Sequence, residues 1–299
     1  MLMPPWFEHT FQRLVTRHAA NRLHHGLLLT GQSGIGKMLL AQTLAKTLLC
    51  KSANKAGFCG ACQSCQLFDA QTHPDYSELV SDKQLGVDKI REGIGRLSAT
   101  SQLSGNKVLI IPRADMMTES AANALLKTLE EPTANTFLIL VTDRMHRLLP
   151  TIISRCEKHV LSRPHQEVAL AWLSEQGLTD VNAALLEAYA GAPLRVQAAL
   201  EDNAAGISYP SYQEGLEQLL SGTADAVTLA TEWQASAATI VDWLQQYAHQ
   251  TFIQYNSPAF FKLYKTCIHA HQALQNPGVN KIMILSGVLA EIKRPASSV

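Results

Sequence analysis

Residues 27–38 limit the fold of this chain more than any other stretch. They read Leu-Leu-Leu-Thr-Gly-Gln-Ser-Gly-Ile-Gly-Lys-Met, an apolar run followed by a glycine-rich turn. The turn matches the pattern G-x-x-x-x-G-K, in which backbone N–H groups and a lysine hold phosphate oxygens. We therefore predict a buried strand, a phosphate loop and a helix in succession, with Gly31, Gly34, Gly36 and Lys37 as the phosphate-binding residues.

Two positions that would contact magnesium in an ATPase of this kind carry unsuitable side chains. Met38 follows the loop lysine, where a Ser or Thr hydroxyl would bind the ion. Pro112 and Arg113 follow the apolar run 107–111, where an acidic pair would hold magnesium and polarise the attacking water. Asp115 comes two or three residues too late for either role unless the register changes. The sequence predicts a nucleotide-site scaffold without its magnesium contacts, and nucleotide binding without hydrolysis stays open.

Four cysteines, Cys50, Cys59, Cys62 and Cys65, follow the spacing C-x8-C-x2-C-x2-C. This density and spacing favour a tetrahedral all-cysteine zinc site over four unligated thiols. An iron–sulfur cluster is the second interpretation, but a ferredoxin run would continue with x3-C-P, and here residues 66–69 read Gln-Leu-Phe-Asp. Because protein atoms would supply all four ligands, we expect a structural and not a catalytic metal.

The rest of the first half alternates apolar strands with amphipathic helices. Alternation of this kind is typical of a parallel sheet covered by helices, so we predict a three-layer α/β domain. The strands are predicted at 76–80, 107–111, 136–142 and 160–161 in addition to the one before the loop, and the helices at 5–22, 37–50, 87–97 and 118–131.

Segments after Pro164 read as helices only. The polar stretch 202–206 is the predicted linker within this part, and Asn280 is the predicted N-cap of the last helix. We expect three domains: an α/β domain at 1–163, which contains the cysteine module at 50–65, a small helical domain at 164–205 and a second helical domain at 208–299.

The composition narrows the functional classes. The chain has 299 residues, and its 25 Lys and Arg are balanced by 25 Asp and Glu. A protein that holds duplex DNA by its own charge is usually basic, so any nucleic-acid contact is expected to be local or shared with partners. No apolar run approaches the roughly 20 residues needed to span a bilayer, and residues 1–11 lack the apolar core of a signal peptide. We therefore expect a cytoplasmic protein.

Three further motifs accompany the phosphate loop and the cysteines. They are His-Pro-Asp at 73–75, Asn-Ala-Leu-Leu-Lys-Thr-Leu-Glu-Glu-Pro at 123–132 and Ser-Arg-Cys at 154–156. The whole set resembles bacterial clamp-loader subunits of the AAA+ class over essentially the entire chain. The resemblance implies an AAA+ domain followed by a helical lid and a helical collar. Because Met38 and Pro112-Arg113 depart from the gamma/tau motor type, the delta-prime type is the closer match.

The resemblance also implies roles for single residues. Arg155 of Ser-Arg-Cys corresponds to an arginine finger, which would act in trans in the ATP site of a neighbouring motor subunit. Spacing alone would favour a surface salt bridge for such an arginine. Thr142 takes the sensor-1 position and Arg195 the sensor-2 position, so both are candidates for nucleotide contact; in a subunit without hydrolysis the alternative is a structural role only.

The function implied by the resemblance is that of a non-hydrolysing stator in the clamp loader of the DNA polymerase III holoenzyme. The expected partners are the gamma/tau and delta subunits in a hetero-oligomeric ring, with the sliding clamp and primed DNA contacted through the complex. We expect structural zinc, weak or absent ATP binding and no ATPase activity of the chain itself, since nucleotidyl transfer belongs to the complex. Two alternatives stay open: an active gamma/tau-type motor, and a zinc-dependent nucleic-acid-binding module, which the zero net charge disfavours.

Overall fold

A computed structural model describes residues 3–81, 84–103, 105–178, 181–201, 207–276 and 278–296, with side chains as far as Ile292. The chain divides into two compact units, Met1–Pro164 and His165–Val299. The predicted linker 202–206 lies outside the described residues, and the predicted division of the second half into lid and collar stays a prediction.

The first unit is organised around a parallel sheet. The described residues contribute five strands to it: β1 (Gly26–Gly31), β2 (Tyr76–Glu78), β3 (Lys107–Ile111), β4 (Thr136–Thr142) and β5 (Glu157–Leu161). Their order across the sheet is β2-β3-β4-β1-β5, and every neighbouring pair is parallel. This order places β1, which leads into the phosphate loop, between β4 and β5. The predicted α/β class with a parallel sheet is confirmed.

Helices pack on this sheet and bury its strands. The helices of the first unit are α1 (Glu8–Ala19), α2 (Lys37–Leu49), α3 (Gln63–Asp69), α4 (Val87–Ser98), α5 (Glu119–Glu130) and α6 (Pro150–Ile153). Helix α2 packs on β1, β3, β4 and α1, whereas α4 packs on β3 and α5. Leu28 and Leu109 share one core with Ile90 of α4 and Leu125 of α5. Neighbouring strand residues point to the opposite face, where Leu27 is also fully buried.

Three element boundaries differ from the sequence predictions. The helix predicted at 5–22 is a short 3-10 helix, Pro5–Phe7, followed by α1, which ends at Ala19. Strand β2 ends at Glu78, before the predicted limit, and Val80 beyond it is 58% exposed. Strand β5 begins at Glu157, earlier than predicted, because an edge strand with alternating burial includes polar residues that an apolar run does not.

The second unit is all helical within the described residues. Its helices are α7 (Gln166–Glu175), α8 (Ala183–Ala188), α9 (Pro193–Glu201), α10 (Tyr209–Ser221), α11 (Ala226–Trp233), α12 (Ala237–Tyr255), α13 (Pro258–Leu274) and α14 (Lys281–Ala296). The predicted N-cap Asn280 accepts a hydrogen bond from the Met283 N–H at 3.1 Å. None of the described helices in either unit combines the length and apolar character that crossing a bilayer requires.

A buried carboxylate, Asp75, fixes the loop that leads into β3. It is 8% exposed and accepts hydrogen bonds from the Ser101 hydroxyl at 2.9 Å and from the N–H groups of Gln102 at 2.9 Å and Leu103 at 3.0 Å. Burial opposes ionisation, but these hydrogen bonds and nearby His73 outweigh it and lower the pKa of Asp75. Such a group stabilises the fold above its unfolded pKa of about 3.9, and this contribution is lost as the pH falls through the folded pKa.

We expect Asp75→Asn to lower the free energy of unfolding by about 2 kcal/mol at pH 7, because charge-assisted hydrogen bonds from two backbone N–H groups are weakened. The difference between variant and wild type shrinks below about pH 4, where the Asp75 carboxyl of the unfolded chain becomes protonated, and it is lost below the lower pKa of the folded state. Urea unfolding at pH 7 and pH 3 measures both values. The control is Asp88→Asn, at a carboxylate 96% exposed, with an expected change below about 0.5 kcal/mol. An equal loss at both pH values would contradict the role of charge.

Candidate functional site

The phosphate loop joins β1 to α2, and its glycines are required by its geometry. A Cβ at Gly31 would lie 2.3 Å from the carbonyl oxygen of Leu161 in β5, so only glycine fits there. Gly34 and Gly36 have φ angles of 77° and 94°, in the left-handed region that favours glycine. Gly36 is also the N-cap of α2 and provides no side chain to the first N–H groups of that helix. The loop therefore has the backbone shape that its pattern predicts.

Trp6 contacts the loop from the 3-10 helix that precedes α1. Its indole N–H donates a hydrogen bond to the carbonyl oxygen of Ile35 at 2.9 Å. The adjacent Phe7 is buried at 2% exposure and anchors this segment. The contact is not evident from the sequence, because 29 residues separate the two partners and Trp6 lies outside the loop motif.

Lys37, the loop lysine, is buried and already paired. Its side chain is 5% exposed, and its ammonium group donates to the Gln32 carbonyl oxygen at 2.6 Å and lies 2.9 Å from Oδ1 of Asp143. Asp143 directly follows β4, and its side chain is 42% exposed. A phosphate group that bound Lys37 would have to exchange with this carboxylate or tolerate its charge. Asp143 was not among the predicted site residues.

Thr142, the sensor-1 candidate, bonds to a carboxylate at the end of β4. Its hydroxyl donates to Oδ1 of Asp115 at 2.8 Å and accepts from the Arg144 N–H at 2.9 Å. A 3-10 helix, Ala114–Met116, brings Asp115 there, and it begins after Arg113, whose φ of 50° is left-handed. Asp115 therefore reaches Thr142 although it comes late in the sequence. Met38 is half-buried at the start of α2 and has no oxygen to offer.

Arg155, the candidate arginine finger, lies between α6 and β5 and forms an ion pair within its own chain. Its Nε and Nη2 atoms both lie 2.6 Å from Oε1 of Glu130, and Nη1 donates to the Thr151 carbonyl oxygen at 3.1 Å. The Arg155 side chain is 35% exposed and that of Glu130 is 48% exposed. Ion pairs this close to solvent contribute little free energy, so Arg155 can exchange partners at small cost.

Arg195, the sensor-2 candidate, belongs to the second unit and links two of its helices. Its guanidinium group pairs with Asp242 of α12 and lies 5.7 Å from the ring centroid of Tyr189. His271 Nδ1 lies 3.3 Å from the other carboxylate oxygen of Asp242. Arg195 thus has a structural partner in its own unit, and its contact with nucleotide stays a prediction.

The four cysteines of the predicted metal site come together around one point. Their sulfur atoms all lie within 4.8 Å of one another, and Cys50 Sγ and Cys62 Sγ are 3.8 Å apart. In a tetrahedron with zinc–sulfur bonds of about 2.3 Å, neighbouring sulfurs are about 3.8 Å apart. Cys50 follows α2, Cys62 is the N-cap of α3 and Cys65 lies within α3, so a metal would tie the two helices together. The geometry is compatible with a metal site.

The thiols of this cluster differ in acidity. Burial opposes ionisation of Cys62, but hydrogen bonds from the backbone of Cys65 and Lys51 and from neighbouring thiols outweigh it and lower the pKa of Cys62 to about 6. Burial, together with neighbouring Cys62 and Cys50, raises the pKa of Cys65 to about 12. A lowered pKa favours the thiolate, which is the form of cysteine that binds a metal ion.

His73 of the His-Pro-Asp motif connects the cysteine module to the sheet. Its Nδ1 accepts the Asp75 N–H at 3.1 Å, so its proton is on Nε2, which donates to the Ser64 hydroxyl at 2.8 Å. Both side chains are buried, at 5% and 2% exposure. Because Nε2 carries the proton, His73 cannot take one from Ser64, and the pair links α3 to β2 instead of forming a nucleophile.

Comparisons with known proteins point to one family. Residues 6–165 match the family model described as DNA polymerase III, delta subunit. Proteins named DNA polymerase III subunit delta' are 42% identical to this chain over 194 residues in Escherichia coli K12 and 38% identical over 249 residues in Pseudomonas aeruginosa. These alignments cover 63% and 80% of this chain, and 58% and 74% of the respective relatives. The chain thus aligns with less than two thirds of the Escherichia coli protein.

A third relative aligns over nearly its full length. The delta' subunit of Yersinia pestis is 31% identical over 321 aligned positions, which cover 94% of this chain and 93% of that protein. Among solved structures, a DNA polymerase III gamma subunit-related protein from Thermotoga maritima has a TM-score of 0.46 at 18% identity, covering 96% of this chain and 99% of its own. On the family model and the relatives from Pseudomonas aeruginosa and Yersinia pestis, the chain belongs to the delta-prime family of DNA polymerase III clamp-loader subunits.

Proposed function

We propose that this chain is a stator of the replicative clamp loader, a subunit that does not hydrolyse ATP and that supplies Arg155 to a neighbouring ATPase site. In this role it helps the complex to place the sliding clamp on primed DNA as part of the DNA polymerase III holoenzyme. Its partners are the gamma/tau and delta subunits in a cytoplasmic ring, which the helices of 208–299 hold together as a collar. Residues 164–205 form the lid.

The observation that carries this proposal is the state of the phosphate loop. Its glycines preserve the phosphate-binding shape, yet Lys37 is paired with Asp143 at 2.9 Å and Met38 offers no hydroxyl for magnesium. Pro112 and Arg113 follow β3, so this strand does not end in the acidic pair of an ATPase. A loop that keeps its shape without the magnesium contacts supports weak nucleotide binding without hydrolysis.

Arg155 is the catalytic group that the chain offers to another subunit. A guanidinium group placed in trans neutralises charge that develops on the transferring phosphoryl group. Its present partner, Glu130, is half-exposed, so the ion pair between them can open at low cost when a phosphate is available. The ion pair keeps the guanidinium group oriented until a neighbour provides a stronger anion.

An active gamma/tau-type motor is the second candidate, and one observation favours it. Asp115 reaches the end of β4, where it accepts the Thr142 hydroxyl at 2.8 Å, so a carboxylate is present at the sheet edge that binds ligands in α/β folds. However, the Asp115 carboxylate is already hydrogen-bonded to Thr142, and no side chain replaces the Ser or Thr hydroxyl that is missing at Met38. The stator therefore accounts for more of the site.

The arginine finger is tested in a clamp loader reconstituted from this chain with gamma/tau and delta subunits. We expect Arg155→Ala to lower turnover at the adjacent ATP site by about 10³-fold, because arginine fingers contribute on that order to kcat. The readout is ATP hydrolysis stimulated by primed DNA and the clamp. Arg155→Lys should not restore the rate, since a lysine cannot reproduce the planar fork.

The matched control is Glu130→Gln, which breaks the same ion pair but keeps the arginine. If the pair only stabilises this chain, both variants should behave alike. We expect Glu130→Gln to retain ATP hydrolysis, and unchanged hydrolysis in Arg155→Ala would refute the finger.

The phosphate loop is tested with the purified chain. We expect no magnesium-dependent ATP turnover, and we expect calorimetry to show that Asp143→Asn binds ADP about tenfold more tightly than wild type. The tenfold gain corresponds to about 1.4 kcal/mol from removing a carboxylate that competes for Lys37. Asp88→Asn, at an exposed carboxylate outside the loop, leaves Lys37 paired and is the control. Turnover that Lys37→Ala abolishes would support the motor and contradict the stator.

The cysteine module is proposed to hold one structural zinc ion through Cys50, Cys59, Cys62 and Cys65. We expect elemental analysis to find one zinc per chain in wild type and none in Cys65→Ser. Loss of the metal link between α2 and α3 should also lower Tm by about 5 °C or more, since about 2 kcal/mol or more of stability is lost. Cys156→Ser, outside the cluster, keeps the metal. Iron with visible absorption in fresh protein would support the iron–sulfur alternative.

A further inference from the structure

We propose that the exposed rim of the cysteine module binds single-stranded DNA. The rim is defined here as Lys51, Lys55, Phe58 and the turn 54–57 that connects them. The lysines would contact phosphates, and the phenylalanine would stack on an unpaired base. This role is separate from the arginine finger, and either can fail without the other.

The rim is exposed and carries no acidic residue. Residues 51–56 and 58–61 are all exposed, and Gly57 is the one buried position between them. No Asp or Glu occurs from 51 to 68, and the first acid after it, Asp69, is paired with Lys46 at 2.6 Å. Although the chain has zero net charge, Lys51 and Lys55 therefore lie in a segment without acidic residues.

The turn that presents Lys55 is formed in advance. Asn54 and Gly57 exchange two backbone hydrogen bonds at 2.9 and 3.0 Å, and the Asn54 side chain accepts from the Ala56 N–H at 2.8 Å. Gly57 has a φ of 114°, and a Cβ there would lie 2.9 Å from the ring of Phe11 in α1. The turn is thus held against α1, so ligand binding would not carry the entropy cost of ordering it.

Phe58 makes the rim suitable for a single strand. Its side chain is 37% exposed, and Lys46 Nζ lies 4.1 Å from the ring centroid. Proteins that bind single strands combine cations along the backbone with aromatic rings on which bases stack, and zinc knuckles are among the modules that do so. A duplex keeps its bases stacked on one another and offers none to such a ring.

A zinc ion held by the four cysteines would change the charge balance of the rim. Four thiolates and one zinc ion sum to two negative charges, which Lys51 and Lys55 balance, because Lys46 is already paired with Asp69. Cys65 is buried and Cys50 and Cys62 are half-buried, whereas Cys59 and the rim lysines are exposed. A polyanion approaching from solvent can therefore reach both ammonium groups. Because the metal centre and the two lysines balance in charge, we expect weak binding, and its ionic part depends on salt.

The test is fluorescence anisotropy of a labelled oligothymidine with the full chain. We expect a Kd on the order of 10 μM in 50 mM salt. Reversing both charges, Lys51→Glu with Lys55→Glu, should weaken binding at least tenfold and reduce the slope of log K against log salt by about 1.4, or about 0.7 per phosphate. Phe58→Ala should weaken binding about tenfold with an unchanged slope, because stacking involves no counterion.

The second unit offers a matched control for these changes. Lys265 Nζ lies 4.5 Å from the ring centroid of Phe261, an exposed pair of the same composition in α13. Lys265→Glu and Phe261→Ala should leave the Kd unchanged. Zinc content and Tm of every variant should match wild type, since all the changed side chains are exposed.

Three outcomes would overturn the proposal. The first is absence of binding by wild type in 50 mM salt, and the second is an equal loss of affinity in the control variants. The third is binding of duplex DNA or polyglutamate that equals binding of the single strand and does not change in Phe58→Ala. That result would make the rim a general anion surface, such as one for an acidic protein.

Discussion

A buried ammonium group needs oxygen partners, and Lys37 obtains them from its own chain. The Gln32 carbonyl oxygen at 2.6 Å and the Asp143 carboxylate at 2.9 Å hold the start of α2 to the loop and to the end of β4. Removing one partner from a buried charge is costly, so these contacts stabilise the loop in the absence of any ligand. The same contacts oppose ligand binding, because a phosphate must replace one of them. Stability of the empty loop and affinity for nucleotide are therefore in competition.

The features that could be predicted from sequence are those whose cause is local. The loop glycines are recognisable because Gly34 and Gly36 need left-handed φ angles within a few residues of the lysine. The clustering of the cysteines is recognisable because thiols that could share one ion must follow a narrow spacing, and their sulfurs lie within 4.8 Å of one another. The continuous apolar residues of β3 likewise reflect burial on both faces. In each case one segment contains both the pattern and its physical reason.

The partners of the site residues could not be predicted, because the sheet topology creates them. Lys37 and Asp143 meet only because β4 pairs with β1. Asp115 reaches Thr142 because Arg113 adopts a left-handed backbone conformation that turns the chain after β3. Arginine rarely adopts this conformation, so the sequence does not indicate the turn. The residues next to each of these side chains in the sequence do not indicate its partner. Strand order and one backbone angle, neither visible locally, decide which charges are neutralised.

The hydrogen bond from Trp6 to Ile35 has a practical consequence for work with this chain. It makes a residue near the beginning of the sequence part of the wall of the phosphate loop. A fusion partner, a cleavage site or a shortened start that displaces Trp6 would free the Ile35 carbonyl and change the loop's rigidity. Nucleotide affinities measured on differently tagged preparations are therefore comparable only if this segment is intact. In a variant that keeps Trp6 but replaces the other three tryptophans, indole fluorescence would report on this contact.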